Sequence, residues 1–234
     1  MRVSGQAGHD VWVWAAIDAT TKIVPVLRLG PRTLHLADAV IHELHHRLQP
    51  GSPLPVFTRD GLRLYFYALT AHFGHWRQPQ DTHKPVWQIA ADFVYGQVRK
   101  FQRHRRLVKV EHVMLCGPRE TLIQRLKAAG LSGRLNTAYI ERWNLTLRQG
   151  VALLTRRTWG TAQFTCELIL HVSWWRAYYH FARYHEALRV EQGTSRQPTR
   201  RPVTRRYRPR TPAMAAGLVA RRWTVLALIS SPLD

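Results

Sequence analysis

The sequence predicts an α/β protein: a mixed sheet flanked by helices, with a helical C-terminal region and a basic tail. Two runs that alternate apolar and polar residues, 11–18 and 22–30, read as an antiparallel hairpin leading straight into a helical pattern. A short apolar run, "LPVFTRDG", then reads as a buried strand ahead of a second helix. From about residue 189 the apolar periodicity stops, and Arg and Pro take over.

Each element has its own signal. "PRT" opens "LHLADAVIHELHHRLQ", where Leu36, Ala39, Val40, Leu44 and Leu48 recur at helical spacing until "PGSP" ends the helix. "LRLYFYALTAHFG" gives a second helix, with Leu64, Tyr67, Ala68 and Phe73 on one face. From Trp76 to about Val86 the chain is rich in Pro, Gln and His and reads as an inserted loop. "VWQIAADFVYGQVRKFQ" reads as helical, with Gly96 as its weak point, and "RRLVKVEHVMLCG" alternates as a strand. "PRETLIQRLKAAG" is a short helix between Pro118 and Gly130. A longer helix, capped by Asn136 or Thr137, runs through "AYIERWNLTLRQGVALLTRRT", and "TAQFTCELILHVSWWRAYYHFARYHEAL" forms another. The chain thus divides into a core, residues 1–188, and a Pro/Arg-rich tail, residues 189–234.

Charge bounds the function. Against 14 Asp+Glu the 234 residues carry 35 Lys+Arg, a net charge of +21. Repulsion on that scale is relieved most readily by a polyanion, which makes DNA or RNA the expected partner. No window approaches the roughly 18 uninterrupted apolar residues of a membrane span, and "MRVSGQAGHD" has no apolar leader. Cys116 and Cys166 are too few for a disulfide framework and have no zinc spacing, so they read as core thiols of a cytoplasmic, nucleoid-associated protein.

Few acids are available for chemistry. Asp60 stands at the end of the expected buried strand, where α/β sheets present reactive groups, although an Asp-Gly turn explains it equally well. Glu141 lies one turn into the long helix, with Leu145 and Arg148 on its face and Ile140, Trp143, Leu147 and Leu154 in the neighbouring apolar stripe. A first-turn acid favoured by the helix dipole is the plainer account of it. The chain order is hairpin, helix, strand ending in Asp, then a helix carrying Glu, which is that of ribonuclease H-like nucleotidyl transferases. In those enzymes carboxylates from separate elements hold two divalent metals.

"VWVWAAIDATTKIVPVLRLGPRT", "VFTRDGLRLYFYAL", "LNTAYIERWNLTLRQGVALLTRRT", "YYHFARYHEAL" and "RPRTPAMAAGL" together resemble the DDE transposases of bacterial insertion sequences. The likeness is greatest to the group whose third carboxylate sits in N-T-x-x-x-E-R-x-N-x-x-x-R, matched here by Asn136, Thr137, Glu141, Arg142, Asn144 and Arg148. The resemblance implies a ribonuclease H-like domain that cuts element ends and joins them to target DNA, as a homo-oligomer on DNA, with Mg²⁺ held by three carboxylates. Asp60 then matches the second carboxylate and Glu141 the third. Arg142, Asn144 and Arg148 match a helix face that supports the site and contacts DNA phosphates.

The first carboxylate has no clear counterpart. A ribonuclease H-like sheet runs three antiparallel strands before its first helix, and only two precede "PRTLHLADAV", so 11–18 and 22–30 count as strands two and three. Strand one is expected to be missing, or to come from "MRVSGQAGHD", which has almost no strand character. Asp18 then begins the hairpin turn rather than serving as a catalytic residue, and Asp10 is the only other acid near the start. The expected protein is a transposase truncated at its N-terminus and impaired in strand transfer, or else a non-catalytic DNA-binding remnant.

Three further patterns are weighed. "HELHH" fits H-E-x-x-H through His42, Glu43 and His46, yet it reads better as a solvated amphipathic helix than as a zinc site. Trp12, Trp14, Trp143, Trp174 and Trp175 read as core, while Trp76 and Trp87 flank the inserted loop and could stack on a base. Arg200, Arg201, Arg205, Arg206, Arg208 and Arg210 of the tail read as phosphate contacts.

Overall fold

A computed structural model describes residues 2–3, 11–80, 84–104, 106–154, 165–191 and 207–230. They form a mixed α/β chain of two compact units: residues 1–16 with 25–145, and residues 17–24 with 146–234.

The first unit opens on an antiparallel three-stranded sheet. β2 (Val11–Ala16) lies between β1 (Arg2–Val3) and β3 (Val26–Gly30), with Trp12 opposite Gly30 and Ala16 opposite Val26. Two expectations are corrected here. The N-terminal segment does supply a strand, of two residues, because Arg2 and Val3 take the free edge of β2 opposite Trp12 and Val11. The hairpin strands are also shorter than 11–18 and 22–30, because the Asp18 carboxylate organises the intervening segment as a polar turn. Asp10 lies outside the described residues.

α1 (Leu34–Arg47) follows, capped by the Thr33 hydroxyl, which accepts from Leu36 N–H. It buries Ala37, Val40, Ile41 and Leu44, so the true stripe is rotated slightly from the expected one, and Leu36, Ala39 and Leu48 are only half-buried. β4 (Val56–Arg59) and α2 (Leu64–His72) come next; Tyr67, expected on the core face, is exposed, and Leu69, which was not expected there, is buried. Trp14, Val26, the α1 stripe, Ala68, Leu69, Phe73, Phe93 and Tyr95 form one apolar cluster. Each large side chain buried there is worth about 1.5–3 kcal/mol.

The segment read as loop and helix is instead sheet. β5 (Gly74–Arg77) pairs with β6 (Val86–Ile89), and β7 (Val94–Arg103) pairs in parallel with β4 and antiparallel with β8 (Arg106–Cys116). Gly96 explains the misreading: it marks a close approach, since a Cβ there would stand 2.6 Å from Leu135 Cδ1. Among the described residues β4 is paired on one side only, so it is an edge strand, and of its residues only Arg59 is buried, unlike the buried strand expected. α3 (Arg119–Ala128) begins after Pro118 and seats Leu122 and Leu126 against Val94, Val98 and Leu135.

α4 (Ala138–Gly150) buries Trp143 and Leu147, as its stripe predicts, and a short 3₁₀ turn, Ala152–Leu154, buries Leu154. α5 (Thr165–Ala177) continues as a π-helical turn, Tyr178–Ala182. The expected helix stops there, because β9 (His185–Glu191) pairs antiparallel with β10 (Tyr207–Arg210). α6 (Pro212–Ala215), capped by the buried Thr211, and α7 (Val225–Ser230) complete the second unit. Within the described residues, the region beyond 189 therefore holds regular structure and is more than a tail. Trp14, Trp143 and Trp175 are buried, Trp12 is half-buried, and Trp174 is exposed against expectation. Of the cysteines, Cys116 is half-buried and Cys166 exposed, so neither is a fully buried core thiol.

The Asp18 turn belongs to the second unit. Both carboxylate oxygens are engaged: Oδ1 accepts from Thr20 N–H at 3.0 Å, and Oδ2 accepts from Thr21 N–H at 3.0 Å and from both threonine hydroxyls. Burial raises the Asp18 pKa, but the bonds from Thr21 and Thr20 outweigh it and hold the carboxyl below its usual range. Asp18 is a turn-forming residue. Asp18→Ala is expected to lower stability by roughly 1–2 kcal/mol, read as a reduced urea midpoint at unchanged m-value, since these orphaned donors remain partly solvated.

Candidate functional site

Asp60 is placed by β4. The strand runs parallel to β7 with Arg59 opposite Gln97, so Asp60 emerges exposed at its C-terminal end beside Val98. Gly61 has no positive φ, and a Cβ on it would meet only Gln97 Nε2 at an ordinary 3.5 Å. The Asp-Gly pair is therefore not dictated by a left-handed turn. Asp60, Gly61, Val98, Arg99, Lys100 and Phe101 line a shallow open groove of about 330 Å³.

Glu141 is placed by the start of α4. The Asn136 carboxamide accepts from Ala138 N–H at 2.7 Å and caps the helix, while the Thr137 hydroxyl donates to Glu141 Oε1 at 2.8 Å. Glu141 N–H in turn donates to Thr137 O at 3.1 Å, so the two ends of this first turn hold one another. Lys100 Nζ, from the groove, donates to the same Oε1. Burial alone raises the Glu141 pKa, but the bonds from Lys100 and Thr137 prevail and lower it. Asp60 and Glu141, far apart in sequence, are thus both placed near one stretch of β7: Asp60 lines the groove with Lys100, and Glu141 pairs with the Lys100 side chain.

The other expected residues are distributed more widely. Arg142 is exposed, and one position of helical rotation turns it away from Glu141. Asn144, one turn on, lies on the Glu141 face and is half-buried. Arg148 is half-buried and belongs to the second unit. Arg205 and Arg206, with Arg200 and Arg201, lie outside the described residues. Arg210 is corrected from a phosphate contact to a structural residue, because its Nε donates to Leu188 O across the β9–β10 pair.

Sequence reasoning missed Arg59. It is only 9% exposed, its Nε and Nη1 find no partner among the described residues, and its guanidinium lies 5.5 Å from the Tyr95 ring. Burial pulls its pKa down, while Asp60 acts in the opposite direction. The signal was available in strand parity: Arg59 shares the face of Phe57, the inward one.

The histidine motif has other uses. Glu43 pairs with Arg28 Nε at 2.7 Å and Arg47 Nη2 at 2.6 Å, which ties up the carboxylate a zinc hydrolase would need as base. Trp76 and Trp87 face each other across β5 and β6 with ring centres 5.5 Å apart, and Trp87 Nε1 is anchored on Thr70 O at 2.8 Å.

Among the described residues no group of three or more His, Cys, Asp and Glu side chains is arranged to hold a metal ion. Asp60 and Glu141 are two donors, and the Lys100 ammonium holds the Glu141 oxygen that a cation would compete for. In this arrangement they do not form the ligand set of a two-metal centre. No described helix is long and apolar enough to cross a membrane. Comparison with family models, curated proteins and solved structures found no match for this chain.

Proposed function

We propose that the chain is a DNA transposase of an insertion sequence, of the kind that cuts element ends and joins them to target DNA by Mg²⁺-dependent phosphoryl transfer, and that as this chain it is impaired in joining. The observation that carries the reading is that Asp60 shares a groove with Lys100 and that Lys100 pairs with Glu141. Two acids singled out for different reasons, one at a strand end and one in a helix motif, come to the same few residues of β7. The chain's net charge of +21 supports DNA as the partner. Impairment follows from the donor set, two carboxylates with a lysine seated on one of them.

A second reading, a DNA-binding remnant without catalysis, is favoured by that same Lys100 ion pair. The deciding experiment measures duplex binding by fluorescence anisotropy and Mg²⁺-dependent nicking or joining of the same labelled duplex. Weak joining that falls at least about 100-fold in both Asp60→Asn and Glu141→Gln is the result expected of the transposase. Tight binding with no joining supports the remnant, and absence of both overturns the two readings together.

A further inference from the structure

β7 and β8 stay paired well past the core. The inner half of β7, Val94–Val98, is buried, and every residue from Arg99 to Arg103 is exposed, as are Arg106–Val110 on β8. Pairing continues through Lys100–Val110 and Phe101–Lys109 to Arg103–Arg106. β4 accompanies β7 only as far as Gln97, so among the described residues the outer half is a two-stranded ribbon with no third strand on either edge.

Such a ribbon is marginal alone in water and needs something to cover it. Phe101, Leu107, Val108 and Val110 are between 41% and 66% exposed. Among its described residues this short stretch carries five cations, Arg99, Lys100, Arg103, Arg106 and Lys109; Lys100 and Lys109 hold surface ion pairs with Glu141 and Glu111, and the three arginines leave it strongly positive. A second copy of the chain would bring the same cations against these, whereas a duplex brings phosphates. Five residues of strand span about 17 Å, and two strands about 4.8 Å apart fit the roughly 12 Å width of a major groove.

We propose that the outer half of this ribbon, residues 99–109, inserts into the major groove of duplex DNA, with its cations on the flanking phosphates and its apolar side chains against base edges. This rests on the proposed DNA-binding function and adds the element and the groove. Because Arg99, Lys100 and Phe101 belong to both the ribbon and the Asp60 groove, DNA seated on the ribbon runs directly to that site.

The test uses the full chain with Arg103→Gln, Arg106→Gln and Lys109→Gln combined, three exposed positions that do not themselves line the Asp60 groove, with circular dichroism to verify the fold. Binding of a 30-base-pair duplex is measured by anisotropy across salt concentrations. The slope of log affinity against log salt is expected to fall by about 3, and affinity at 100 mM salt by at least about 30-fold. Glucosylated hydroxymethylcytosine, which fills the major groove, is expected to weaken the unmodified chain, and netropsin in the minor groove is not. An unchanged slope, or displacement by netropsin alone, overturns the ribbon proposal. So does a triple variant that changes only the oligomeric state. The transposase reading fails separately: slope loss without any strand joining removes that reading and leaves the ribbon standing.

Discussion

The affinity of this chain for duplex DNA is expected to fall by about 10³-fold between 50 and 200 mM salt, with little dependence on sequence. The estimate takes six phosphate contacts, each releasing nearly one counterion. The charge balance makes six modest. Net charge is +21 after every Asp and Glu has been counted against the Lys and Arg, so even with ion pairs such as Glu43 with Arg28 and Arg47 formed, a large excess of cations faces a polyanion. Anisotropy titrations with two unrelated duplexes at four salt concentrations measure the slope. A slope shallower than about −3 would remove DNA from the proposed function, because it would leave most of the excess charge without a role.

Local chemistry was legible in the sequence, and non-local pairing was not. Thr33 and Pro118 fixed two helix starts because a cap or a proline acts within its own turn. Trp143, Leu147 and Leu154 were found because a helix stripe is periodic wherever it packs. "VWQIAADFVYGQVRKFQ" failed for the opposite reason. Its apolar spacing suits a helix, but Val94–Gln97 pairs with β4 from far upstream and Tyr95–Arg103 runs along β8 from downstream, and those ladders outweigh the local preference. The same holds for His185–Glu191, which looks like a helix end until Tyr207–Arg210 pairs with it.

At the candidate site the acids were legible and their environment was not. Asp60 and Glu141 could be named from a strand end and a motif, but Lys100, which pairs with Glu141 and lines the Asp60 groove, lay in a segment read as helix. Asn136 or Thr137 was expected to cap the helix; the Asn136 side chain does so, and the Thr137 hydroxyl turns onto Glu141, a use the motif did not reveal. Strand parity with Phe57 marked Arg59 as inward-facing, but its stacking near the Tyr95 ring required the paired strand. Charge relations of this kind depend on which side chains meet in space, and composition carries no record of that.

Lowering the pH from 7 to 4 is expected to cost the second unit up to about 3 kcal/mol through His180 alone. His180 sits in the π-helical turn, 9% exposed, and its Nε2 accepts from Val24 N–H at 3.0 Å. The acceptor must be unprotonated, so the ring is neutral with its proton on Nδ1. Burial, assisted by Arg176, pushes its pKa down to about 4, whereas an unfolded histidine titrates near 6.5. Above about pH 6.5 neither state binds the proton and the stabilisation is complete. Between about 6.5 and 4 the unfolded chain takes up a proton that the folded chain refuses, so stability falls with pH, and below about 4 it levels off. The size follows from about 1.36 kcal/mol per unit of pKa difference. Urea denaturation at pH 7, 5.5 and 4.5 should show the wild-type chain losing more stability than His180→Gln, whose amide oxygen can still accept from Val24 but does not titrate. Equal losses in the two proteins would mean that the fold does not hold the His180 imidazole neutral, and would overturn the prediction. His180→Leu supplies the complementary measurement: it leaves the Val24 N–H without an acceptor and is expected to cost about 1–3 kcal/mol already at pH 7.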